Sequence, residues 1–196
     1  MSMTVRQFQR ILFLCFSGIL ATTFAHAQQN TFTLDPAQTK VDFIVDSTLH
    51  TVHGDFHLQR GNIQFDSATG TAGGELVVDS ASGQSGSDGR DKRMHKDILE
   101  SPKYSDIVFA PSHIKGTVAL EGKSEIEVEG VLTMHGKSRP VTMPLQVQIQ
   151  NGSGSAEGSF TVKYQEWAIK NPSTFILRVS DKVEIHIHAI GRLMPK

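Results

Sequence analysis

From Thr31 onward apolar and polar residues alternate along the chain, and this period of two constrains the fold more than any other feature. In "TKVDFIVDS" Val41, Phe43 and Val45 fall on one face; in "SEIEVEGVLTMHG" Ile126, Val128, Leu132 and Met134 lie opposite Glu125, Glu127 and Glu129. "RPVTMPLQVQIQ" sets Val141, Met143, Leu145, Val147 and Ile149 on one side. "GSFTVKYQ" does the same with Phe160, Val162 and Tyr164, and "DKVEIHIHAIG" with Val183, Ile185, Ile187 and Ala189. Successive strand side chains point to opposite faces, so each run predicts a strand with one apolar face, as in antiparallel sheets. Turn-forming stretches such as "QRGN", "EGKS" and "NGSGSAEG" separate the runs at short intervals. About eight hairpin-linked strands in one domain must protect their edges, which barrel closure or a sandwich does.

Residues 1–27 stand apart and are expected to be a secretory signal, leaving 28–196 as one domain. Arg6 and Arg10 precede the apolar run "ILFLCFSGILATTF", and Ala25-His26-Ala27 is a small-x-small cleavage site. The run is short and soon followed by polar "QQNT", so export is expected, with no transmembrane span after cleavage and a periplasmic or secreted location. The single cysteine, Cys15, lies in this run behind Leu14, where lipid attachment would want a small residue. Cleavage after Ala27 leaves 169 residues without a disulfide, a thiol nucleophile or a thiolate metal ligand. It also removes Arg6 and Arg10, taking the net charge from −1 to −3, a mild acidic balance that predicts no attraction to nucleic acid or to anionic lipid surfaces.

The segment "SGSDGRDKRMHKDILESPKY" departs from the period of two. Met94 and Ile98 are spaced i, i+4 with Leu99 beside them, and Pro102 disfavours helical backbone at Ser101. These features predict a short amphipathic helix near 90–100, with Asp88 as its cap, laid against an open end or flank of the sheet. Arg90, Lys92, Arg93 and Lys96 are offset by Asp88, Asp91, Asp97 and Glu100, so no net basic field survives. Arg90 and Asp91 can alternatively form an inward-facing ion pair.

Nine histidines raise the question of a metal. His53 and His57 share a strand face but stand about 13 Å apart at the usual rise, too far to chelate one ion. His186 and His188 are close enough, yet they oppose Val183, Ile185 and Ile187 and have no identifiable third ligand, so no metal is expected. No Gly-x-Ser-x-Gly, phosphate-cradling loop or His-Glu-x-x-His is present, and no catalytic residues are assigned. An interior of this size can be filled by its Phe and Met side chains or can hold one elongated apolar ligand.

Four blocks, "FTLDPAQTKVDFIVDSTLHTVHGDFHLQRGNIQFD", "GRDKRMHKDILESPKYSDIVF", "GVLTMHGKSRPVTMPLQV" and "FILRVSDKVEIHIHAIG", resemble in order those of the YceI-like family of exported lipid- or polyisoprenoid-binding proteins. The resemblance covers roughly residues 31–193, and its most distinctive part is the Arg-Asp-x-x-x-His segment followed by "KYxxIxF". It implies an all-β fold: a single antiparallel up-and-down, lipocalin-like barrel holding an isoprenoid lipid or similar amphiphile, such as an isoprenoid quinone or polyprenyl phosphate. It implies binding or transfer, not turnover, and no cofactor beyond that lipid. Val41, Phe43, Val45, Phe56, Phe109, Leu132, Met134 and Phe160 would line the pocket. Arg90, Asp91 and His95 would sit on the helix beside it, contacting a head group or anchoring the helix. His135-Gly136 with Pro140 would form a tight turn between paired strands, and His135 is a further head-group candidate. Where many family members carry a histidine shortly after the first strand, this chain has Asp46, with His50 and His53 later. A second copy of the chain is a candidate partner. The rival expectations are a metal-dependent or acid–base enzyme using Arg90, Asp91, His95 and His135, and a stress-response module with a packed barrel.

Overall fold

The structure, a computed structural model, describes residues 29–195; the expected signal segment lies outside them. Among these described residues nine strands form: β1 (Gln29–Leu34), β2 (Lys40–Asp46), β3 (Thr51–Asp66), β4 (Ala72–Asp79), β5 (Asp106–Lys115), β6 (Gly122–Met134), β7 (Lys137–Gln150), β8 (Ser153–Val162) and β9 (Val183–Pro195). From β2 to β9 each strand pairs antiparallel with the next, and β9 returns to β2 with Phe43 opposite Ile185. The sheet is thus a closed up-and-down barrel of eight positions, and closure removes the exposed edges.

The ninth strand shares a position. β1 pairs with the far ends of β3 and β9, while β2 pairs with their near ends, so β1 and β2 lie end to end between the same neighbours. The break falls at Asp35-Pro36. Asp35 accepts hydrogen bonds from the Ala37 N–H (2.9 Å) and the Gln38 side chain (2.5 Å), folding the chain into a turn. Beyond it the Thr39 hydroxyl donates to Ile190 O (3.3 Å) and accepts from Ile190 N (3.2 Å), standing in for the interrupted ladder.

The β6–β7 hairpin turns on two residues, His135 (φ 50°) and Gly136 (φ 70°), the left-handed pair that matches strand twist. Pro140, expected in this turn, instead lies within β7 opposite Val131. Residues flanking such a turn form a hydrogen-bonded pair, so the odd-numbered residues of β7 face β6 and the even-numbered ones face β8. Pro140 and Pro144 therefore lack donors on the β8 side, and β7 pairs with β8 only from Gln146 onward.

Up-and-down connectivity gathers alternate connections at one end: 47–50, 80–105, 135–136 and 163–182. The long 80–105 connection contains the only α-helix among the described residues, α1 (Asp88–Arg93), which continues as a π turn over Met94–Ile98. It starts two residues before the expected 90–100 helix. Ser87, not Asp88, is its N-cap, and no side chain caps it. The Leu99 N–H donates to Met94 O at 2.8 Å, an i→i−5 bond, and Glu100 (φ 48°) turns the chain out before Pro102. At the opposite end Phe65, Ile114, Ile126, Val128, Ile149 and Leu193 pack as a buried core.

Candidate binding cavity

The inward faces of the strands do not meet over the half of the barrel nearest the long connections. They enclose a cavity of about 570 Å³, so the fully packed barrel is not what this sequence forms. The wall contains Val41, Phe43, Val45, Phe56, Phe109, Leu132, Met134 and Phe160, all eight positions that the sequence suggested. Each lies on the apolar parity of its strand. Phe43 and Phe56 face one another across β2 and β3, with ring centroids 5.3 Å apart and planes tilted by 45°.

Leu76, Phe109, Met143 and Ile187 form the floor, below which an apolar-lined void of about 100 Å³ lies within the packed end. At the top, His50, Gly89 and Arg93 both line the cavity and are exposed, and so mark its mouth between the 47–50 loop and α1. Half-buried Arg90 lies beside them. Among the described residues no Asp or Glu lines the cavity; the charged groups at its wall are the cationic Arg90 and Arg93, with the His50 imidazole beside them.

The 80–105 connection is fastened over the barrel by a polar scaffold. Asp55 and Gln84 exchange backbone hydrogen bonds of 2.9 Å, and the His57 N–H donates to Ser82 Oγ at 2.8 Å. Gly83 permits this approach: a Cβ there would stand 2.5 Å from Phe56 and 2.8 Å from Met94. Arg90 and Asp91 do not meet as an ion pair; both close on Ser85. Arg90 Nε donates to Ser85 Oγ (2.7 Å) and an Nη donates to Ser85 O (2.5 Å). The Asp91 carboxylate accepts from Ser85 N (3.0 Å) and from the Ser85 hydroxyl. Burial pushes the Asp91 carboxyl up, but the Ser85 hydrogen bonds and the charges of Arg90 and His95 outweigh it, leaving Asp91 below the ordinary carboxylate value.

His95 is an anchor within the same connection. Its Nε2 meets Gly83 O at 2.9 Å, so this nitrogen carries the proton, while Nδ1 lies 3.4 Å from the Ser101 hydroxyl. Buried Ser101 in turn donates to Ser80 O, and Ser80 to Tyr104 O. His135 lies elsewhere, nearly buried beneath Tyr104 with ring centroids 4.4 Å apart and its Nε2 3.6 Å from Glu100 Oε1. Of Arg90, Asp91, His95 and His135, Arg90 alone lines the cavity; the four do not converge on one polar cleft.

On the outer face His186 pairs with Glu184 (3.0 Å) and His188 with Glu157 (2.9 Å). Among the described residues no three metal-ligating side chains group together. Tyr164, expected on the apolar face of a strand with Phe160 and Val162, stands instead in a 3-10 turn (Tyr164–Trp167) of the 163–182 connection and still reaches the wall; sequence reasoning missed Ile169, Pro172, Leu177 and Val179, which the same connection brings there. The Tyr164 hydroxyl donates to Ser180 O at 2.7 Å, and burial, with the Asp181 charge, raises its pKa. The signal was the apolar "FILRV" in a stretch too rich in turn residues for a strand.

A closed antiparallel barrel with an apolar interior open at one end defines a lipocalin-like class of protein. Within that class the sequence profile of the YceI-like domain matches residues 32–190, and the chain belongs to the YceI-like family. A UPF0312 protein of Pseudomonas putida is 32% identical over 133 residues, covering 62% of this chain and 65% of that protein. A UPF0312 protein of Vibrio parahaemolyticus is 31% identical over 100 residues, 50% of this chain and 48% of that one. The chain thus spans between about half and two thirds of the length of these relatives. The crystal structure of BcnA from Burkholderia cenocepacia superposes with a TM-score of 0.65 at 24% identity, covering 80% of this chain and 98% of BcnA. A polyisoprenoid-binding domain from Saccharophagus degradans gives 0.66 at 17% identity, covering 82% and 97%. These two likenesses establish the shared fold.

Proposed function

We propose that the protein is an exported carrier for an isoprenoid lipid or a similar long-chain amphiphile, with the tail in the barrel and the polar head at the mouth. It binds and releases this cargo without chemical turnover. One observation carries the reading: the cavity of about 570 Å³ has an apolar wall whose charged groups are cations, Arg90 and Arg93, gathered with His50 at the opening. Burial of apolar chain gives about 0.8 kcal/mol per methylene, which suffices for tight binding without any reactive group. Cations at the rim favour an anionic head such as a phosphate over a neutral quinone ring. The polyisoprenoid-binding description of the Saccharophagus degradans domain supports the class of cargo, and the signal-like residues 1–27 support export.

Native mass spectrometry of protein purified from the producing cell, with lipid extraction, tests the proposal. The expected result is a bound amphiphile in the native spectrum, or uptake of added prenyl phosphate in preference to a quinone of equal chain length. An empty protein that takes up neither overturns it.

A further inference from the structure

Three large apolar side chains stand in solvent at the cavity end of the barrel: Leu49 (71% exposed), Phe175 (95%) and Ile176 (81%). Leu49 is far in sequence from the adjacent Phe175 and Ile176, but the two loops that carry them are stitched together. The Thr48 N–H donates to Arg178 O (2.9 Å), the Ser180 N–H donates to Asp46 O (2.8 Å), and Ser47 bridges to Val179. Phe175 and Ile176 occupy the tip of a turn closed by the Thr174 N–H on Leu177 O (2.7 Å) and by the Leu177 N–H on the Thr174 hydroxyl (3.1 Å). Residues flanking the tips, Ser47, His50, Leu177 and Val179, line the cavity, so the exposed patch is continuous with its wall.

Charge is distributed to match. The four connections at this end carry nine Lys and Arg against six Asp and Glu, whereas those at the opposite end, 67–71, 116–121 and 151–152, carry a single charge, Glu121. The overall acidic balance of the chain predicts no attraction to anionic lipid, but the local distribution departs from it: the connections at this end carry three more cations than anions beside the apolar tips. Single side chains protruding from turn tips offer no flat face to a folded partner, but they insert readily into a deformable apolar phase. Apolar tips within a cationic rim are the combination that binds an anionic bilayer surface.

We propose that Leu49, Phe175 and Ile176 dock the open end of the barrel onto an anionic lipid bilayer, setting the cavity mouth at the membrane surface so that an apolar cargo passes between bilayer and barrel without crossing water. The docking gains its purpose from the carrier reading, but it is tested separately from it.

The test is cosedimentation of purified, lipid-stripped protein with vesicles of phosphatidylethanolamine and phosphatidylglycerol, and with vesicles of phosphatidylcholine alone. Wild-type protein is expected to sediment with the anionic vesicles, more weakly at high salt and with the neutral ones. Phe175→Ser with Ile176→Ser should lower partitioning by about tenfold or more, while circular dichroism and melting temperature stay unchanged because both side chains are exposed. Equal sedimentation of variant and wild type, or none with either vesicle, overturns the docking. A dimer in analytical ultracentrifugation that the double variant dissolves, without vesicle binding, overturns it in favour of a second copy of the chain. Uptake of a micelle-dispersed prenyl phosphate by the same preparation is scored independently: uptake without docking leaves the carrier reading standing, and docking without uptake leaves the membrane surface standing.

Discussion

At the scale of single residues, the tightest constraints lie where backbone rather than side chain sets the geometry. Gly136 has φ 70°, and a Cβ there would stand 2.9 Å from Cε1 of Tyr104. An L-residue in that region costs about 1–2 kcal/mol, and the contact with Tyr104 adds to it. Gly136→Ala should therefore lower unfolding free energy in urea by about 1–2 kcal/mol or more; an unchanged midpoint would mean that the turn tolerates another backbone geometry. The His-Gly pair was legible as a turn because left-handed positions leave a compositional mark. Pro140 departs from its expected place in the turn for an equally local reason: proline reads as a turn residue, but here it sits in β7, where the neighbouring strand takes no hydrogen bond from it.

Among the elements, the strands were the most legible and the connections the least. Period two maps directly onto inside and outside, so the sequence alone sets Val41, Phe43, Leu132 and Met134 on the apolar faces of their strands. The closure of β9 on β2 joins residues more than a hundred positions apart, and no local pattern encodes it. The wall residues of the 163–182 connection follow no period and left no comparable trace. The 80–105 connection shows a third situation: its apolar stripe was legible, but the meaning of its charges was not. Arg90 and Asp91 were expected to be solvent cover, an ion pair or head-group ligands; they close instead on Ser85, and Arg90 also reaches the wall. Folding lowers the Asp91 pKa, so its contribution to stability is present above the unfolded-chain value of 3.8 and is lost as pH falls through the lower folded value. Asp91→Asn should reduce the melting temperature at neutral pH, and its difference from wild type should narrow below pH about 4. A constant difference down to strong acid would show that Asp91 acts by packing rather than by charge.

For the molecule as a whole, the governing fact is that one barrel is packed at one end and hollow at the other, with a single layer between. Met143, 4% exposed, belongs to that layer together with Leu76, Phe109 and Ile187, and it touches both the large cavity and the small void beneath. The layer has two roles that one substitution can separate. As core it contributes stability: Met143→Ala should lower the unfolding free energy of lipid-free protein by about 2–5 kcal/mol, since truncating a buried methionine loses transfer energy and leaves a hole. As floor it limits how deep a chain can reach. In the variant the two spaces merge, so a prenyl chain that extends past the old floor fills the hole and recovers part of the loss through binding to the native state alone. The thermal shift on adding prenyl phosphates of increasing length should then level off at a longer chain in Met143→Ala than in wild type. If both level off at the same length, the cargo does not approach the floor, and the limit on chain length lies nearer the mouth.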